Sequence, residues 1–249
     1  MTQLGFQPEW PAPARVGSFI TYRQPGHSQG VYAQNNLASH VGDASAAVAA
    51  NRDDLIQYLT LPQQPLWLRQ VHGTRVVDAA EVNAPPIEAD GAFCTAPGTI
   101  CAVLTADCLP ILLCDSKGTQ VAAVHGGWRG LAKGIISAAL QHFKGPRTDL
   151  LAYLGPAISA SVYEVGEEVV AAFANLPGNI ASCAQANSQR PGHYFLDLYA
   201  VAWLQLQDCG INAIYGGNRC SYREKSYFYS YRRDGQTGRM ASLIWLKDK

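Results

Sequence analysis

The stretch from Thr105 to Gly130, TADCLPILLCDSKGTQVAAVHGGWRG, constrains the fold more than any other part of the 249-residue chain. It holds two short apolar runs, Leu109 to Cys114 and Val121 to Val124, each bounded by turn residues. Continuous runs of this length predict strands covered on both faces. The intervening Asp115-Ser116-Lys117-Gly118 predicts a hairpin. Cys108 then stands at the start of one strand and His125 at the end of its partner, so a thiol and an imidazole share one sheet edge. Gly126-Gly127-Trp128-Arg129-Gly130 follows and leads into a helical pattern.

The flanking segments read as alternating strands and helices. Val16 to Tyr22 is an expected first strand, and Gln24 to Asn36, with Pro25, Gly26 and Gly30, a loop. Asp43 is an expected N-cap for a helix to about Leu59, with Val48, Leu55, Ile56 and Leu59 on one face. Leu66 to Val71 and Arg75 to Ala79 read as strands around the tight turn His72-Gly73-Thr74, with Gln70 and His72 on the same side. Asp90-Gly91 opens a strand to Thr95, and Ile100 to Thr105 forms another. Helical spacing of Leu131, Ile135, Ala139 and Phe143 predicts one helix from Gly130 to about Phe143. Leu150 to Leu154 is a strand. Ser161 and Glu164 have capping-box spacing before a helix carrying Val165, Val169, Phe173 and Leu176. Pro177 to Gly192 reads as a long polar loop. Asp197 caps a helix ending at Cys209 and Gly210. Ile211 to Tyr215, Tyr227 to Tyr231 and Ala241 to Leu246 complete the strands. With no repeat or linker, residues 1–249 read as a single α/β domain, a mixed sheet with helices outside.

An apolar content of 48% against 15% charged residues supports a sizeable core, and the balance of 19 basic and 19 acidic residues gives no electrostatic reason for a nucleic-acid or anionic-membrane partner. The first residues lack a signal-peptide pattern, and no apolar run approaches a membrane span. Seven cysteines, odd in number and mostly within apolar runs, suit free thiols in a reducing cytoplasm.

His72, Cys108 and His125 each sit at a strand end beside glycine or a turn. Two imidazoles and a thiolate form a normal zinc set with a fourth position open for water or substrate. Zinc there supplies hydroxide near neutral pH. No CxxC or HExxH spacing supports the set, and a buried structural Cys108 with turn histidines explains the same pattern. A third possibility is a cysteine hydrolase in which Cys108 and His125 pair as thiolate and imidazolium, with Asp107 or Gln70 orienting the base. His72 discriminates, because a dyad does not need it. Gly126 to Gly130 forms a strand–glycine–helix junction, either an anion cradle reinforced by Arg129 or a plain turn. No Walker A or GxGxxG fingerprint occurs. The segment YFYSYRRDGQTGR puts Tyr227, Tyr229 and Tyr231 on one expected strand face and supplies Arg232, Arg233 and Arg239. Aromatic faces stack on bases and guanidinium forks hold phosphate, although such a stripe is also common packing.

Several motifs together resemble one bacterial family. They are Gln70-Val71-His72-Gly73, Thr105-Ala106-Asp107-Cys108-Leu109-Pro110, Val124-His125-Gly126-Gly127-Trp128-Arg129-Gly130, Gly155-Pro156-Ala157-Ile158, Tyr163-Glu164-Val165 and Tyr229-Ser230-Tyr231-Arg232-Arg233-Asp234-Gly235. The chain resembles the YfiH-like family, also called the laccase-domain or multicopper polyphenol oxidoreductase family. The resemblance runs in order over nearly the whole chain. It implies a zinc site at His72, Cys108 and His125. It also implies a fold similar to the deamidase domain of cytotoxic necrotizing factor toxins, whose Cys–His pair corresponds to Cys108 and His125. Relatives are described as purine nucleoside phosphorylases that also act on methylthioadenosine and deaminate adenosine. Older naming makes them polyphenol oxidases, and an editing role in peptidoglycan precursor synthesis has been proposed.

A multicopper oxidase needs a blue-copper centre and a three-copper cluster held largely by imidazoles. Of the six histidines (His27, His40, His72, His125, His142 and His193), only two fall in the convergent motifs. A true laccase is therefore disfavoured, although copper outcompetes zinc at such ligands and is an expected adventitious occupant. The expectation is a zinc enzyme acting on purine nucleosides and phosphate. Cys108, His125 and Asp107 would carry the chemistry. Gln70, Gly126, Gly127, Arg129, Tyr231, Arg232 and Arg233 would contact substrate or phosphate. The alternatives are a cysteine-type amide hydrolase acting on a UDP-muramoyl amino acid and a metal-stabilised binding module without turnover. The sequence does not reveal the oligomeric state.

Overall fold

The computed structural model describes residues 3–82, 86–174 and 180–248. In chain order the strands and α-helices begin with β1 (Gly5–Phe6), β2 (Val16–Thr21), α1 (Ser45–Leu59), β3 (Val76–Asp78), β4 (Gly91–Cys94) and β5 (Ile100–Thr105). The central region holds β6 (Leu109–Asp115), β7 (Val121–Gly126), α2 (Trp128–Ala132), α3 (Ile135–Leu140) and β8 (Leu150–Leu154). Then come β9 (Glu164–Gly166), α4 (Glu167–Ala171), β10 (Ala184–Ala186), β11 (His193–Leu196), α5 (Leu198–Asp208), β12 (Ala213–Gly216), α6 (Tyr231–Asp234) and β13 (Met240–Leu246).

The expected hairpin is the centre of a six-stranded mixed sheet ordered β12-β8-β6-β7-β4-β3. β6 and β7 pair antiparallel, with Pro110 opposite His125. Side chains alternate between the faces. Leu109, Ile111, Leu113 and Val124 face a core shared with Leu131, Ile135, Val201 and Leu206 of the helical layer. Leu112, Cys114, Val121 and Ala123 face the other way, onto Ile20, Val103 and Ile244 of a second sheet. That sheet is antiparallel, ordered β1-β2-β13-β5, and its far face packs Phe19, Leu104 and Leu243 on Leu55 of α1. Every residue of β5, β6 and β7 is buried, which is why these segments read as unbroken apolar runs. The same alternation assigns Cys108 and His125 to the face that meets the second sheet, at its edge.

Several expected elements differ, each for a local reason. The helix after Gly130 is two helices, split by Gly134 in a left-handed conformation (φ 87°). Glu164 lies in β9, paired with Phe195 of β11, so no capping box forms and the helix starts at Glu167. Leu176 and the start of the expected 177–192 loop lie outside the described residues. The remainder of that segment contributes β10, which pairs with β11. Leu66 to Val71 forms only isolated bridges, because the side-chain amide of Gln70 takes the place of a ladder. Its Oε1 accepts from Leu104 N at 2.7 Å, and its Nε2 donates to Leu104 O at 2.8 Å. Tyr227 to Tyr231 is not a strand. Phe228 and Tyr229 are both fully buried, while Tyr227 and Tyr231 are exposed. Ser230 instead caps α6 by accepting from Arg233 N. Asp197 does cap α5, accepting from the N–H groups of Tyr199 and Ala200.

Asp43 does not cap α1. It accepts from Ser28 Oγ and Asn36 Nδ2, within a buried polar network centred on Asn51. Asn51 Nδ2 donates to Asn36 O and Ser28 Oγ at 2.9 Å, and its Oδ1 accepts from His27 N at 2.7 Å. Asn36 Oδ1 in turn accepts from Arg239 N at 3.0 Å, so the network ties the 24–40 loop to the 236–239 loop. Asn51→Ala strands several of these groups in the interior and is expected to cost about 1–3 kcal/mol, read by chemical denaturation. Gln57→Ala on the exposed face of the same helix should change stability by less than about 0.5 kcal/mol.

Candidate metal centre

His72, Cys108 and His125 present ligand atoms that all lie within 4.8 Å of one another. They arrive from three places. Cys108 precedes β6, His125 ends β7, and His72 sits in the turn before β3. His72 has a left-handed backbone (φ 57°), a conformation uncommon for a side-chain-bearing residue. Asp90 holds it there. The Asp90 carboxylate, fully buried, accepts from the backbone N–H groups of Val71 (3.1 Å), His72 (2.9 Å) and Gly73 (2.7 Å). The same carboxylate accepts from His125 Nδ1 at 2.8 Å, and Asp90 O accepts from His125 N at 2.7 Å. One carboxylate therefore fixes the backbone of one imidazole donor and the ring of the other. The base is oriented by Asp90, not by Asp107 or Gln70. The sequence shows Asp90 only as a strand opener before Gly91.

The electrostatics follow from this packing. Burial opposes ionisation of Asp90, but the bonds from His125 and Gly73 outweigh it and hold its pKa below the usual value. Burial also opposes charging of His125. The Cys108 thiolate and Asp90 overcome that and push its pKa up to about 9. His72 is shifted down, first by burial and then by the neighbouring His125 charge.

The residues fit a metal ion. His72 Nδ1 is buried with no hydrogen-bond partner, an arrangement that is costly unless something ligates it. His125 Nδ1 is held by a carboxylate, which leaves Nε2 as donor, the usual arrangement around protein-bound metals. A Cβ on Gly127 would lie 2.5 Å from His72 Nδ1 and 3.3 Å from Cys108 Sγ, so only glycine lets the cluster close.

The cluster opens into a cavity of about 390 Å³. Trp128, Tyr163 and Tyr231 line it, as do Arg129, Arg232 and Arg239; Arg232 Nη1 donates to Glu164 O and Arg239 Nη1 to Thr237 O and Gly238 O. Arg232 lies over the Tyr163 ring at 5.1 Å and Arg129 over Trp128 at 4.3 Å. Asp107 lines the cavity, but both its oxygens accept hydrogen bonds, from Ser221 Oγ at 2.6 Å and Arg232 N at 2.7 Å. Gln70 lines it with its amide engaged on Leu104. Arg233, Gly126 and Gly127 are not among the lining residues. The Arg233 guanidinium donates to the carbonyls of Ser221, Tyr222 and Phe228. Gly126 belongs to β7, and Gly127 precedes a helix of five residues, so the glycine run serves close approach. His40 and Tyr163 were not singled out from the sequence as site residues. His40 carried no motif signal, and Tyr163 was visible only within Tyr163-Glu164-Val165.

The family model described as "Multi-copper polyphenol oxidoreductase laccase" matches residues 17–247. The chain belongs to this YfiH-like, laccase-domain family. A Haemophilus influenzae member named purine nucleoside phosphorylase is 41% identical over 240 residues, covering 96% of this chain and 98% of its own. Escherichia coli "Purine nucleoside phosphorylase YfiH" is 43% identical, covering 96% and 97%. A Neisseria meningitidis crystal structure superposes with a TM-score of 0.94 at 46% identity, covering 99% of this chain and 100% of its own. YfiH-like membership thus comes with the mixed α/β architecture seen here. Among the described residues, no helix is long and apolar enough to cross a membrane.

Gly127→Ala is expected to leave far-UV circular dichroism unchanged and to weaken zinc binding at least 10-fold in a chelator-competition titration. Unaltered affinity would show that the close approach of Gly127 to His72 is irrelevant to the centre.

Proposed function

We propose that the protein is a zinc-dependent purine nucleoside enzyme that phosphorolyses adenosine, inosine and methylthioadenosine and deaminates adenosine. One observation carries this reading. A three-donor metal cluster opens into a cavity lined by both aromatic faces and guanidinium groups, the combination that holds a planar base and a phosphate together. The names of the relatives point the same way. Bound by His72, Cys108 and His125, zinc supplies Lewis acidity and a hydroxide nucleophile at neutral pH. The soft thiolate also accepts copper, which makes copper an adventitious occupant.

The chain's own groups divide the remaining work. Arg129, Arg232 and Arg239 surround the place for phosphate. Trp128, Tyr163 and Tyr231 supply surfaces for the base. Asp107 anchors Ser221 and the start of α6, and so positions Arg232 instead of moving protons. Phosphorolysis moves the C1′–N9 electron pair onto the purine and forms a new bond from C1′ to a phosphate oxygen.

A second reading has a specific basis. Cys108, His125 and Asp90 form a thiol–imidazole–carboxylate series, the arrangement of a cysteine-type amide hydrolase, here one acting on peptidoglycan precursors. The two readings separate at His72. Chromatography of adenosine with metal-quantified protein should give adenine only with phosphate and inosine with or without it. His72→Ala should lose zinc and both products together. Unchanged adenosine with a full equivalent of zinc, together with hydrolysis of a UDP-muramoyl amino acid that survives His72→Ala but not alkylation of Cys108, would overturn the nucleoside reading in favour of the hydrolase.

A further inference from the structure

The phosphorolysis reading leaves one chemical need unmet. The departing purine must be neutralised, and most groups lining the cavity are committed elsewhere. His72, Cys108 and His125 are metal donors. Asp107 has both oxygens accepting hydrogen bonds. Tyr163 is made a poorer acid by burial. His40 is different. It lines the cavity and is its one imidazole outside the metal cluster among the described residues. The same polar network that ties the 24–40 loop to Arg239 brings it there.

Resting on that reading, we propose that His40 is the catalytic residue that passes a proton to N7 of the leaving purine. His40 is exposed to solvent on one side, and its partial desolvation, followed by the Arg239 and Arg52 charges, lowers its pKa and favours the neutral form. A neutral imidazole presents one N–H donor and one acceptor nitrogen, enough for a relay. As the C1′–N9 bond breaks, the purine receives the electron pair and takes the ring N–H proton at N7. The other ring nitrogen takes the proton of monohydrogen phosphate, whose oxygen bonds C1′. The products are neutral purine, the sugar 1-phosphate dianion and the other tautomer of neutral His40. Neither net charge nor protons are left over.

The test uses zinc-loaded enzyme with phosphate and two substrates, inosine and N7-methylinosine. The methylated base already carries positive charge and leaves neutral without a proton. His40→Ala should lower kcat on inosine about 100-fold or more, with KM little changed. It should leave kcat on N7-methylinosine at the wild-type level. His40→Gln, which keeps an N–H donor but cannot relay, should fall between wild type and His40→Ala on inosine. Equal losses on both substrates, or no loss on inosine, would overturn the assignment while the phosphorolysis reading stands. Wild-type enzyme that cleaves neither nucleoside would overturn that reading and the role of His40 with it.

Discussion

The Asp90 carboxylate accepts from three successive backbone N–H groups at residues 71–73 and from the His125 ring, all inside the protein. An ionised carboxylate in such a place needs every one of these bonds to offset its desolvation. In return it imposes geometry. The 71–73 turn closes around it, His72 is held in a left-handed conformation, and the His125 ring is fixed in orientation and tautomer. Cys108 needs no such help, because the β6–β7 register already sets it beside His125. The donor cluster is thus assembled by one hairpin and one buried charge.

That division explains how much was legible in the sequence. The hairpin was, because unbroken apolar runs bounded by turn residues have few other solutions, and Cys108 and His125 followed from it. The three donors could be named because their residue types suit one ion, not because of any spacing between them. Asp90 was not legible as a site residue. A carboxylate before a glycine looks the same whether it opens a strand or organises a turn eighteen residues earlier. Gln70 and Arg233 illustrate the converse. Both lie in distinctive motifs, yet their polar groups satisfy backbone: Gln70 pairs with Leu104, and Arg233 with three carbonyls. A sequence motif marks that a side chain matters and leaves open whether it serves ligand or chain. The tyrosine segment failed as a strand because Ser230 caps α6, which places Tyr231 in a helix, and the Tyr229 N–H donates to Met240 Sδ instead of to a neighbouring strand.

The cavity beside the cluster has a consistent electrostatic character. Among the described residues its one carboxylate, Asp107, is bonded on both oxygens, whereas Arg129, Arg232 and Arg239 all line the space, Arg232 and Arg239 each spending one Nη on backbone carbonyls and keeping further N–H donors. A chain of zero net charge thereby concentrates positive charge at the place that the proposed phosphorolysis gives to phosphate. Arg239 also connects the site to the buried Asn36–Asn51 network, so the walls of the cavity depend on polar groups far from the metal donors.

The central claim is that Asp90 preorganises the metal donors. The most direct test is the zinc dissociation constant of Asp90→Asn against wild type, measured by chelator competition on protein shown to be folded by circular dichroism. The carboxamide cannot accept from Val71, Gly73 and His125 together, because one of its two ends is a donor. The account predicts zinc binding 10- to 100-fold weaker in the variant. Wild-type affinity in folded Asp90→Asn would contradict it.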